Sequence, residues 1–89
     1  MKKHKLVLIE WIDAAGCGPR WNSLDVIMSS NTLTIRSVGW LVDESTKHVT
    51  IVSSMDNQEA PQCMGDHAIP RSAIKSMMTL KVPKKWQMP

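Results

Sequence analysis

The sequence predicts an all-β fold: a small five-stranded antiparallel barrel with one short helix after the first strand. Two observations support this. Short runs rich in β-branched residues recur at regular spacing along the 89 residues, separated by turns rich in Gly, Pro or polar residues. In addition, the run 63–80, CMGDHAIPRSAIKSMMTL, indicates two strands joined by Pro70 to Ala73. That join is too short for an α-helix and suits a 3₁₀ turn, which re-aims the chain as a small barrel requires.

Length and composition predict a single domain over 1–89, with a basic N-terminal arm at 1–5 and a flexible basic tail at 83–89. A hydrophobic content of 43% is typical of a folded chain, and a net charge of +3 favours anionic partners. No leader pattern or membrane-spanning run is seen. We therefore expect a cytoplasmic protein with reduced thiols and no membrane partner.

The first strand is predicted over 5–13, KLVLIEWID, and it is apolar on both faces. Such a strand is either central in its sheet or covered on its outer face by another subunit, and both options remain open. The residues expected near one face are Leu6, Leu8 and Trp11, and those expected to need cover on the other are Val7, Ile9 and Ile12.

A loop over 14–21 leads to a short helix, capped by Asn22 or Ser23 and extending through Ser30. Its apolar residues recur at helical spacing and form one stripe, which predicts that the helix packs on the sheet. The stripe consists of Leu24, Ile27 and Met28.

Four more strands follow. The second strand is predicted over 33–43, with a bulge or sharp bend expected at Gly39, and the third over 48–54. The fourth and fifth strands flank the Pro70 turn, and the fifth ends near Val82. If the first and last strands pair antiparallel, the two basic ends meet. The lysines would then form one positive patch for nucleic acid, and the alternative is that both ends are frayed and solvated. The patch would comprise Lys2, Lys3, Lys5, Lys81, Lys84 and Lys85.

The residue types that carry catalysis lack a catalytic spacing. The eight carboxylates are scattered, and the two cysteines and three histidines show neither CxxC nor HxxxH spacing. The cysteines are expected to be small buried thiols. The sequence therefore predicts a protein that is not an enzyme, with no metal site and no cofactor.

A binding site for an anionic ligand has more support. Arg20 and Trp21 follow a Gly-rich loop, and an arginine can pair with a phosphate while an indole stacks on a base. We predict a site built from Arg20, Trp21, Arg36, Trp40 and Arg71 near a subunit contact of a homo-oligomer. The alternatives are that Trp21 is a lid over the barrel end, that Arg20 is only solvated, and that Trp40 belongs to a core or an interface.

The segment PRSAIKSMM resembles the corner of the bacterial Sm-like RNA chaperones, the Hfq family. Arg71 stands at the basic position of that corner, Ala73 and Ile74 match it, and Ser72 replaces its histidine. The resemblance implies an Sm-like (or Src-homology-3-like) barrel able to form rings through its edge strands. The serine in place of histidine departs from the family's uridine pocket.

A second resemblance covers most of the chain. The Gly-rich loop DAAGCG at 13–18, near Trp21, is followed by SVGWLV at 37–42 and IPRSAI at 69–74, an order similar to small uncharacterised proteins of tailed bacteriophages and prophages. This implies a phage accessory protein, and proteins of this size and origin include non-enzymatic binders that counter host immunity.

Together these features predict a non-enzymatic accessory protein that sequesters an anionic nucleotide-type ligand, such as a cyclic nucleotide signal, in an anti-defence role. One alternative is an Sm-like barrel that binds RNA or DNA through the terminal lysines. The other is a protein-interaction module that inhibits a host enzyme.

Overall fold

The computed structural model describes residues 4–14, 19–28 and 31–86. Five strands, one α-helix and two 3₁₀ helices lie within these ranges. In chain order they are β1 (Leu6–Asp13), α1 (Leu24–Met28), β2 (Leu33–Glu44), β3 (His48–Met55), β4 (Cys63–Pro70), η1 (Arg71–Ala73), β5 (Ile74–Leu80) and η2 (Lys84–Trp86). The five strands, the helix after the first of them and the 3₁₀ turn at the corner are confirmed. The prediction that regular structure ends at Pro83 missed η2.

All five strands form one antiparallel sheet in the order β4-β3-β2-β1-β5. The first and last strands pair antiparallel, with Leu6 opposite Leu80, which is the pairing that the lysine patch requires. Because β2 and β5 flank β1, the strand that is apolar on both faces is central. The sheet is not closed, since β4 and β5 form its two edges.

The long strand β2 joins two halves of the sheet. Its residues 33–40 pair with β1 and its residues 40–44 pair with β3, so Trp40 is opposite both Leu6 and Val52. Gly39 lies at this changeover, and a Cβ there would sit 2.8 Å from the carbonyl oxygen of Val52. Gly39 therefore leaves no room for a side chain, and the β2–β3 register shift falls between Leu41 and Asp43 rather than at Gly39, where the sequence predicted a bulge or sharp bend.

The core lies on the concave face of the folded sheet. Val7 and Ile9 of β1 meet residues of β3 and β4, all at most 3% exposed. Alternation along a strand places every second residue on the same face, which explains why these residues share one side. The fully buried cluster consists of Val7, Ile9, Val49, Ile51 and Ile69, with Trp11, Leu41, Ile74 and Met77 packed against it.

Contacts between the two halves show how far the sheet curls. Trp11 of β1 meets His67 of β4 edge to face, with ring centroids 5.3 Å apart. In a flat sheet these strands, three positions apart in the order, would be about 14 Å apart. The Trp11 indole also donates to the Ser37 hydroxyl at 3.0 Å, so its polar edge is satisfied.

Three expectations about side-chain placement were wrong. Trp11 shares the core face with Val7 and Ile9 rather than the outer face with Leu6 and Leu8. No residue of α1 is buried, so its apolar stripe does not pack on the sheet. Cys63 is an exposed free thiol, and Cys17 lies outside the described residues.

Candidate functional site

The residues of the predicted ligand site lie at separate places in the fold. Arg36 is on the outer face of β2, where its Nε donates to Glu10 Oε2 at 3.0 Å. Lys75 adds a second cation 3.7 Å from the same carboxylate. The hydrogen bond from Arg36 lowers the pKa of Glu10 below its ordinary value, and the charges of Lys75 and Arg36 add to this effect. Arg36 is therefore already occupied by a carboxylate.

Arg71 begins η1 and ties the β4–β5 corner to the β2–β3 turn. Its backbone amide donates to the Lys47 carbonyl at 2.8 Å and its Nε to the Ser45 carbonyl at 3.0 Å. Its Nη2 lies 3.4 Å from Glu44 Oε1. Two of the five N–H donors of the guanidinium and the backbone amide of Arg71 thus hold the corner.

Arg20 and Trp21 lie before α1, outside the sheet. Trp21 is 103% exposed, so it does not form a lid over the sheet. Ser23 accepts a hydrogen bond from the Val26 amide at 3.4 Å, which confirms Ser23 as the helix cap. Asn22 instead donates to the Arg20 carbonyl at 3.0 Å. The predicted helix end at Ser30 lies outside the described residues.

Trp40 is half-buried on the outer face of the sheet, opposite Leu6 and Val52. Arg36 is on the same face and strand, about 13 Å away at the usual rise per residue. Arg20 directly precedes Trp21, but Arg36 and Trp40 lie on the sheet and Arg71 lies at the β4–β5 corner. Within the described ranges the five residues therefore do not form a single pocket.

The terminal lysines, unlike the residues of the predicted ligand site, are brought together by the fold. With Leu6 opposite Leu80, the register places Lys5 beside Lys81, and Lys84 and Lys85 follow in η2. We call these residues the lysine end: Lys5, Lys81, Lys84 and Lys85. All four are exposed, and none takes part in an ion pair within the described ranges. Lys2 and Lys3, predicted to join them, lie outside the described residues.

An aromatic group accompanies these cations. Trp86 closes η2 through its amide, which donates to the Pro83 carbonyl at 2.8 Å, and it is 66% exposed. Trp86 is not among the predicted ligand residues. The run Lys84-Lys85-Trp86, two cations followed by an indole, is the sequence signal that could have placed it there.

Other parts of the surface offer less to an anionic ligand. A shallow groove of about 340 Å³ lies at the loop end of the β3–β4 hairpin, and its only charged group is the carboxylate of Asp56. Among residues 4–14, 19–28 and 31–86, no three His, Cys, Asp or Glu side chains gather to hold a metal ion. No helix in those ranges is long and apolar enough to cross a membrane.

Comparison with protein-family models, with curated proteins and with solved structures finds no match to this chain.

Proposed function

We propose that this protein is a non-enzymatic binder of single-stranded nucleic acid and that the nucleic acid binds at the lysine end. The β1–β5 register supports the proposal, because it joins Lys5 and Lys81, which are far apart in sequence, into one basic surface. Phosphate contacts from clustered lysines provide most of the affinity in sequence-independent binding. An Sm-like or Src-homology-3-like barrel class, implied by the resemblance at the corner, belongs to the same proposal.

Trp86 favours a single strand over a duplex. An exposed indole beside Lys84 and Lys85 gives an unpaired base a flat surface to stack on while the ammonium groups contact its phosphates. In a duplex the bases stack on each other, so none of them is free to stack on this indole.

Salt titration of oligonucleotide binding tests the role of the charges. We would measure anisotropy of fluorescein-labelled single-stranded DNA and RNA between about 50 and 200 mM salt. For Lys84→Gln/Lys85→Gln, the slope of log affinity against log salt should fall by about 1.4, since each lost phosphate contact removes about 0.7. The matched control Arg20→Gln/Lys47→Gln removes the same charge elsewhere and should leave the slope unchanged. Equal losses in both variants would refute a localised site.

The two most exposed tryptophans provide a second matched pair. With an oligonucleotide too short to reach more than one lysine end, Trp86→Ala should weaken binding by about 1–3 kcal/mol, the contribution of one stacked base, whereas Trp21→Ala should not. Wild-type protein that binds no oligonucleotide at about 50 mM salt would rule out the proposal.

The nucleotide site of Arg20, Trp21, Arg36, Trp40 and Arg71 stays a prediction. Its geometry offers less support, because Arg36 and Arg71 already pair with carboxylates. Stabilisation by a cyclic or linear nucleotide in a thermal-shift assay, with no oligonucleotide binding, would favour it. The phage origin, the anti-defence role and the host-enzyme inhibitor also stay predictions.

A further inference from the structure

The segment around α1 carries an apolar surface that the rest of the chain does not cover. We call residues 19–28 the α1 segment. Its stripe of Leu24, Ile27 and Met28 is 52–74% exposed, and Trp21 beside it is fully exposed. Single exposed apolar residues are ordinary, but four on one short segment form a patch of the kind that marks an interaction site.

The helix α1 requires packing against another surface to be stable. A helix of five residues forms too few hydrogen bonds to offset the cost of nucleation, so tertiary packing of its apolar stripe must supply its stability. The sheet does not supply that packing, because no residue of α1 is buried. No described part of the chain therefore serves as a partner for the stripe.

The exposed area is large enough for a dimer. The chain exposes 7089 Å², about 1,900 Å² more than a compact monomer of 10.0 kDa. Its radius of gyration is 17.1 Å, against about 12 Å for a compact chain of this length. A standard interface requires about 800 Å² from each partner, less than half of this excess, which is spread over the whole chain and includes the exposed α1 segment.

From these observations we infer that two copies of this chain associate through their α1 segments, as a symmetric dimer. The core of a single copy is small, since only six hydrophobic residues among those described are fully buried, and the fold needs further stabilisation. The partner must therefore be present whenever the chain is folded, and a second copy always is. One cation, Arg20, and one carboxylate, Asp25, give the segment zero net charge, so two of them meet without the repulsion that opposes contact between two lysine ends.

Two methionines of equal exposure allow a matched test. Met28 in α1 and Met64 on the edge strand β4 are both 74% exposed. Sedimentation equilibrium of the wild type should give twice the 10.0 kDa chain mass. Met28→Glu should weaken the dimer by about a hundredfold or more, because the symmetric contact loses two buried thioethers and gains two charges. Met64→Glu should leave the dissociation constant unchanged.

The melting temperature gives an independent measurement if Met28→Glu does not fold. Because only the folded chain forms the contact, the wild-type melting temperature should rise with protein concentration. Subtracting the fluorescence of Trp21→Phe from that of the wild type gives the emission of Trp21, which should resist quenching by acrylamide. A monomer at every concentration, a melting temperature independent of concentration, a fully quenched Trp21, or dissociation by Met64→Glu would overturn the inference.

Discussion

Replacing Gly39 with alanine tests the close approach of β2 and β3 at that position. The added Cβ would sit 2.8 Å from the Val52 carbonyl oxygen and 3.1 Å from Ile51 Cβ. Neither neighbour is the far end of a flexible side chain, so β2 and β3 must separate by several tenths of an ångström. Overpacking of this kind costs about 1–3 kcal/mol.

Part of that cost is offset in the unfolded state. Alanine has less conformational freedom than glycine, which returns about 0.4–1 kcal/mol. The net loss for Gly39→Ala is therefore about 1–2 kcal/mol. With a urea m-value of about 1 kcal/mol per molar for so small a domain, the unfolding midpoint should fall by about 1–2 M.

Urea unfolding followed by circular dichroism measures this shift. The adjacent substitution Val38→Ala is the control, because Val38 is on the outer face and 51% exposed, and it should cost about 0.5 kcal/mol. The double variant Gly39→Ala/Ile51→Val trims the Ile51 Cδ1 that lies 3.2 Å from the added carbon but leaves the Val52 carbonyl in place. A Gly39→Ala midpoint at or above wild type, or full rescue by Ile51→Val, would refute a backbone clash at this position.

Three further substitutions test other parts of the structure. Arg71→Lys should cost about 1 kcal/mol in urea unfolding, because lysine cannot reproduce the guanidinium's paired donors, whereas Arg20→Lys should be neutral. The pKa of Glu10 is lowered in the folded state, so its ionised form stabilises the fold above the ordinary value of 4.5, and that stability is lost as pH falls through the lowered value. Glu10→Gln should therefore flatten the fall in melting temperature below pH 4.5, and parallel acid profiles would contradict this. Ile9→Ala empties a site that is 0% exposed and should cost about 2–5 kcal/mol, so a smaller loss would mean that the core collapses around it.

Local patterns were enough to predict the strands. Alternation and turns rich in Gly and Pro predicted the five strands, and the short Pro70 turn predicted the corner. The first strand, apolar on both faces, left two options open, a central strand or one covered by another subunit, and the structure shows that β1 is central. These features depend on neighbours within a few residues, which a sequence shows directly.

Features that depend on register were harder to predict. In a strand that is apolar on both faces, nothing marks which face meets the core, and Trp11 was assigned to the wrong one. The partner of Arg36 is Glu10, 26 residues earlier, and only the β1–β2 register brings the two together. Helical spacing likewise identified the α1 stripe without indicating what it contacts.

The lysine end and the α1 segment adjoin opposite ends of β1, since Lys5 precedes the strand and the α1 segment follows Asp13. Eight residues of strand separate them by about 26 Å, so neither surface blocks the other. A dimer joined at the α1 segments would place its two lysine ends far apart, at the outer extremes of the assembly. One long oligonucleotide could then contact both lysine ends, and its second contact would be intramolecular. Affinity should therefore rise steeply once an oligonucleotide is long enough to span the dimer, and Met28→Glu should abolish that rise while leaving the affinity for short oligonucleotides unchanged. If affinity rose smoothly with oligonucleotide length in both the wild type and Met28→Glu, the dimer contact would play no part in nucleic-acid binding and this prediction would be wrong.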